Sequence, residues 1–165
     1  MLYFAYGSKM DTKQMDKACG SGCYEILAKC KLRGYRFEYN GHSRCWNGPA
    51  GDIVESKDNF VWGVLYKIDE ICRSKLYISE GFKEDRSRDE NTYVKIDITN
   101  SIYDCDKQYE KDKIFTFQHV KTESKKELNC KYKEVVLCGA RQHELPKDYI
   151  NEFLDKQCTD LPCPN

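Results

Sequence analysis

The chain opens on Leu2-Tyr3-Phe4-Ala5-Tyr6, an apolar and aromatic run that suits a buried strand, and the run breaks at Gly7-Ser8. Gly7 predicts a turn that a Cβ could not follow. Asp11 then reads as a helix N-cap, with Gln14 three residues on as in a capping box, and Gly20-Ser21-Gly22 ends the helix. A strand, a tight turn and a helix follow one another, so the amides of Gly7, Ser8 and Lys9 can face one concavity suited to an anion. Taken alone, these residues describe an ordinary glycine turn leading off a first strand.

Further on, Glu25 to Tyr39 reads as one long bent strand, or two joined by a bulge at Arg33-Gly34, with glycines at 34, 41, 48 and 51 as sharp corners. Phe60 to Ile68 alternates between two faces and predicts a central strand. Asp69 caps a helix running to about Ile78, which delivers Glu80-Gly81 at its end. Seven of the eight residues from Lys83 to Glu90 are charged, which predicts a solvated loop. Thr92 to Ile98 and Lys113 to Val120 alternate as strands, Tyr132 to Arg141 reads as a helix, and Pro146 opens a last helix through about Asp155. The two prolines between Cys158 and Asn165 predict an irregular tail. Strands and helices interleave without regular βαβ spacing, so the class is α+β, with one domain over 1–157 and a tail over 158–165.

Composition narrows the function classes. At 165 residues the chain is one domain long, with 27 Lys plus Arg against 27 Asp plus Glu. Such a balance supplies no field to attract nucleic acid or an anionic membrane, and neither is expected as a partner. The apolar stretches are far short of a membrane span, and Met1 leads into the first strand with no basic or cleavable segment, so an intracellular, cytoplasmic protein is expected.

The ten cysteines form no C-x-x-C knuckle, and His42, His119 and His143 stand at no ligand spacing. The closest pairs are Cys19-x3-Cys23 and Cys158-x4-Cys163. Buried or incidental thiols in a reducing cytosol are expected ahead of a metal site or a disulfide-stapled secreted domain.

Five segments taken in order carry a resemblance. They are Phe4-Ala5-Tyr6-Gly7-Ser8, Gly48-Pro49-Ala50-Gly51-Asp52-Ile53, Val61-Trp62-Gly63-Val64-Leu65-Tyr66, Glu80-Gly81, and a late Tyr132, Gly139-Ala140, Leu145-Pro146-Lys147-Asp148-Tyr149. Together they resemble the gamma-glutamylcyclotransferase-like family, which includes the AIG2-like proteins, from about Leu2 to Tyr149. The resemblance implies a small mixed β-barrel with helices packed on its outside. It implies Glu80 as catalytic acid/base and Tyr3, Tyr6, Gly7, Ser8 and Tyr132 around the substrate, with Lys9 where the family usually has Asn. Apolar Leu76, Ile78 and Phe82 beside Glu80 suit a carboxylate held away from water, where its pKa rises towards neutrality.

The reaction so implied is the closure of a gamma-glutamyl amide on its own α-amino group, giving 5-oxoproline and a free amine, with no metal or cofactor. Two further departures accompany Lys9. Tyr77 stands where the family commonly has Asp, and the segment after Glu80-Gly81 is longer and more charged. An enzyme of this kind acting on a small gamma-glutamyl compound is the first reading, and a non-catalytic small-molecule binder of the same fold is the alternative.

Overall fold

The computed structural model describes residues 1–106, 113–120 and 126–161. Its organising feature is a β-hairpin of unusual length, β2 (Tyr24–Ser43) against β3 (Gly48–Ile68), paired from Tyr24↔Ile68 to Ser43↔Gly48. Register shifts at Ile26/Ala28, Arg33/Tyr35 and Tyr39/Gly41 bend it, the middle one at Gly34 with φ of 84°. Bulges add local twist, so a hairpin this long curls instead of lying flat. The bend at Arg33-Gly34 is where the sequence places it. Gly48 and Gly51, read as corners, instead lie inside β3, where the stretch from Gly48 to Glu55 is paired with β2 from Ser43 back to Tyr35.

Four further strands complete a six-stranded mixed sheet in the order β4-β6-β1-β3-β2-β5: β1 (Leu2–Ala5), β4 (Tyr93–Asp97), β5 (Ile102–Tyr103) and β6 (Ile114–His119). β1 runs antiparallel to β3 and parallel to β6. The expected mixed barrel is therefore present as a curled half-barrel with edges at β4 and β5.

β1 is only four residues long, and its end creates the site. Beyond Ala5, β6 and β3 run on without it and meet directly: the Gln118 side-chain amide donates to the Ile53 carbonyl at 3.0 Å, and the His119 amide to Asp52 Oδ1 at 2.8 Å. A gap is left between them at the point where the chain turns off β1.

Asp52 at this seam is fully buried, and among the described residues its Oδ2 has no hydrogen-bond partner. Burial raises its pKa to about 6, with the His119 and Ile53 amides acting against the rise. Its folded pKa exceeds the unfolded value of about 3.9, so its contribution to stability is fully present below pH ~4 and lost as pH rises through ~6. At pH 7 the buried charge costs on the order of 3 kcal/mol. Asp52→Asn keeps the acceptor for His119 and removes the charge. Its melting temperature is expected to exceed that of the parent at pH 7.5, with the gap closing towards pH 4.5; a constant gap would show that Asp52 is not the titrating group.

The helices cover the curl. Asp11 caps α1 (Thr12–Cys19) through the Gln14 amide at 3.1 Å, and Asp69 caps α2 (Glu70–Ser79) through the Cys72 amide at 2.7 Å. Both caps are legible in the sequence. Met15, Cys19, Cys72 and Leu76 are fully buried between these helices and the sheet. α3 (Cys130–Gln142) is capped by Asn129 and lies against the turn after β1, and α4 (Lys147–Tyr149) runs on into a π-helical turn, Ile150–Leu154. Residues 83–90 are exposed, as expected, and are tied internally by Ser87 with Glu90 and by the Asn91 side chain to Lys83 and Ser87.

Four cysteines depart from the expectation of free thiols. Cys30 is bonded to Cys105, tying β2 to the segment after β5, and Cys130 to Cys158, tying the start of α3 to the tail beside the Asn129–Thr159 bridge. Neither close sequence pair is the one bonded, because the sheet and the returning tail decide which thiols meet. Among the described residues no helix is long and apolar enough to cross a membrane.

Candidate active site

The gap beyond β1 is a small cleft, open to solvent and lined by Tyr3, Tyr6, Gly7, Ser8, Lys9, Gly51, Glu80, Tyr93, Phe117 and Tyr132. The seven residues that the resemblance implies for the site, Tyr3, Tyr6, Gly7, Ser8, Lys9, Glu80 and Tyr132, all lie on it. Gly51, Tyr93 and Phe117 do not emerge from sequence reasoning. Period-2 alternation places the last two on strands, but which face meets the cleft depends on how the sheet curls.

The turn after β1 is a 3-10 turn over Ser8–Met10, with the Met10 amide on the Gly7 carbonyl at 3.0 Å. Gly7 has φ of −120°, so handedness does not require glycine here, contrary to the expectation. A Cβ there would sit 3.5 Å from the Tyr132 hydroxyl, an ordinary contact. The turn is pinned from behind. The Tyr66 hydroxyl donates to the Lys9 and Met10 carbonyls, each at 3.2 Å, and His143 Nε2 lies 2.9 Å from the Met10 carbonyl.

Glu80 arrives as the C-cap of α2, and Gly81 at φ of 61° turns the chain away. Its side chain is 13% exposed and Lys9 19%, and Lys9 Nζ stands 3.4 Å from Glu80 Oε1. This corrects the expectation of a carboxylate held among apolar side chains: Lys9 neighbours it, and Ile78 is 77% exposed on the outer side of the helix. Helical spacing sends residue 78 outward while Leu76 faces the core.

Phenols make up most of the remaining wall. Tyr3, Tyr6 and Tyr93 are held well above the usual tyrosine range by burial, and the charge of Glu80 pushes each further up. Tyr6 donates to the Phe117 carbonyl at 2.5 Å. Tyr132 differs. Burial raises it, but the Gly51 amide donates to its hydroxyl at 2.8 Å and the Ser8 backbone and side-chain donors face it, leaving it at about 12. An oxygen already accepting these bonds keeps its proton for the cleft, so Tyr132 is a neutral hydrogen-bond donor there. Tyr132→Phe is expected to lower apparent affinity for a carbonyl ligand roughly tenfold, one buried hydrogen bond with the Gly51 amide also left unpaired. Calorimetric titration measures it, and unchanged affinity would place the hydroxyl in a purely structural role.

Tyr77 lies behind this wall, its ring edge-on to Phe115 and Phe117 and its hydroxyl accepting from Lys95 Nζ at 2.9 Å. It supports Phe117 and does not line the cleft. None of residues 83–90 lines it either.

The half-barrel's first strand stops short and leaves a carboxylate in a cleft walled largely by phenols. Comparison with known proteins places the chain in a family. Residues 60–153, more than half of the chain, match the model of the AIG2-like family, and the chain belongs to that family. It is 28% identical over 167 aligned residues to the gamma-glutamylcyclotransferase of Bos taurus, and 24% to that of Homo sapiens, each match covering 90% of this chain and 74% of the relative. Its fold matches a solved gamma-glutamyl cyclotransferase at a TM-score of 0.77 and 22% identity, covering 97% of this chain and 89% of the other. A human protein described as uncharacterized matches at 0.80, also at 22% identity, covering 99% and 91%.

Proposed function

We propose that the chain is a gamma-glutamyl cyclotransferase, converting a gamma-glutamyl amide to 5-oxoproline with release of an amine or amino acid. The observation that carries the reading is that Glu80 and the Tyr6-Gly7-Ser8 turn line one cleft. The substrate brings its own nucleophile. Its α-nitrogen forms a bond to the γ-carbonyl carbon, the original amide C–N bond breaks, and a five-membered lactam results. A tethered nucleophile held in a near-attack conformer is worth roughly 7–11 kcal/mol, so few catalytic groups are needed. Glu80 takes a proton from the α-ammonium and returns it to the departing nitrogen, and the second proton that the α-nitrogen sheds on becoming the lactam N–H ends on the released amine as its ammonium. In this reading the Tyr132 hydroxyl donates to the substrate's γ-oxygen as charge develops.

The ion pair with Lys9 favours a second reading, in which the cleft binds a small molecule without turnover. The purified protein, with a panel of gamma-glutamyl dipeptides, gamma-glutamyl amines and glutathione, separates the two by chromatography of 5-oxoproline. Product from at least one substrate supports the enzyme, and binding without product across the panel supports the binder. The cytoplasmic location expected from the sequence stands against the two disulfides, which persist where the surroundings are oxidising.

A further inference from the structure

Among the described residues lining the cleft, Lys9 is the one cation and Glu80 the one anion. They face each other at 3.4 Å, both largely buried. The backbone beneath Lys9 is pinned by Tyr66, whereas a lysine ammonium sits on a flexible four-carbon stem. A gamma-glutamyl head carries the same two charges, an α-ammonium and an α-carboxylate. With its ammonium at Glu80, Lys9 is displaced and left in need of an anion. The Ser8 donors that the turn would otherwise offer a carboxylate face Tyr132 instead.

Resting on the reading that this cleft receives a gamma-glutamyl head, we infer that Lys9 is a specificity-determining residue that exchanges partners. It holds Glu80 in the empty cleft and the ligand's α-carboxylate in the filled one. The exchange replaces one ion pair with two, and both charges must be present on the ligand for it to occur. A head lacking the carboxylate must strip Lys9 from Glu80 and leave it buried and unpaired, which is costly. A head lacking the ammonium leaves Glu80 unpaired in the same way. Lys9 thus links release of the base to the presence of the carboxylate.

Three amides test this directly: L-glutamine with both charges, 4-aminobutanamide with the ammonium alone, and glutaramate with the carboxylate alone. Binding is measured by calorimetry, or by ligand-observed NMR where it is weak, on the parent, Lys9→Met and Lys9→Gln, with thermal melts to establish folding. Both variants are expected to bind glutaramate about tenfold more weakly, the loss of one charge-assisted contact, and 4-aminobutanamide severalfold more tightly, since nothing then competes for Glu80. Lys9→Arg, which keeps the charge, should preserve the parental order of the three ligands. Shifts of the same sign for both half-charged ligands, or no shift in either, would overturn the exchange. The outcome is separable from the proposed activity: opposite shifts without any 5-oxoproline would keep the exchange and remove the catalysis, while product without them would do the reverse.

Discussion

Glu80→Gln is expected to lower the rate of 5-oxoproline release on the order of 10²–10⁴-fold, the usual worth of a positioned general acid/base. The substitution keeps the shape of the side chain and one carbonyl acceptor, so the cleft keeps its walls, but the amide can neither take a proton from the α-ammonium nor return one to the leaving nitrogen. Apparent affinity is expected to change much less. The contact to the substrate's ammonium weakens, while Lys9, relieved of its partner at 3.4 Å, is left entirely to the carboxylate. A fall in turnover with KM held within a few-fold is the signature of a group acting in the transition state. Parental turnover in this variant would remove Glu80 from the chemistry, and a collapse of binding with unchanged turnover would make it an anchor for the ligand.

What could be read from the chain alone was mostly local. The Asp11 and Asp69 caps each bond an amide three residues on, so sequence spacing decides them, and with them the place of Glu80 at a helix end. Alternation located β4 and β6 within a residue or two of their ends. The contacts that turn these elements into a site are long-range: the Gly51 amide and the Tyr132 hydroxyl stand 81 residues apart in sequence, and nothing in either neighbourhood encodes the other. Lys9 was visible as a departure from the family's asparagine, but its partner was not, because only the ending of β1 beside α2 brings the two charges together. The bonded cysteines were hidden for the same reason, lying 75 and 28 residues apart while nearer pairs stay unjoined. Two-residue β5 has too little sequence to show a period at all.

Gly139 joins the local and long-range levels, and Gly139→Ala carries the largest expected loss of stability. It sits inside α3, where alanine would ordinarily be favoured over glycine by about 1 kcal/mol. Here the preference is reversed by close approach. A Cβ at 139 would stand 2.4 Å from the Asp11 amide nitrogen and 2.6 Å from the Met10 carbonyl carbon, both backbone atoms of a turn that cannot yield without moving Lys9 and the α1 cap. Overpacking against a fixed backbone costs typically 1–3 kcal/mol or more, so a net loss of roughly 2–3 kcal/mol is expected, or about 5–10 °C in melting temperature for a chain of this size. The site should register the same change. Pushing α3 off the turn carries Tyr132 away from the Gly51 amide and Ser8, so KM should rise in whatever fraction remains folded. A variant that melts at or above the parental temperature would mean that helix propensity outweighs the contact and that α3 does not rest on the turn through this glycine; a destabilised variant with unchanged KM would separate the packing of α3 from the placement of Tyr132.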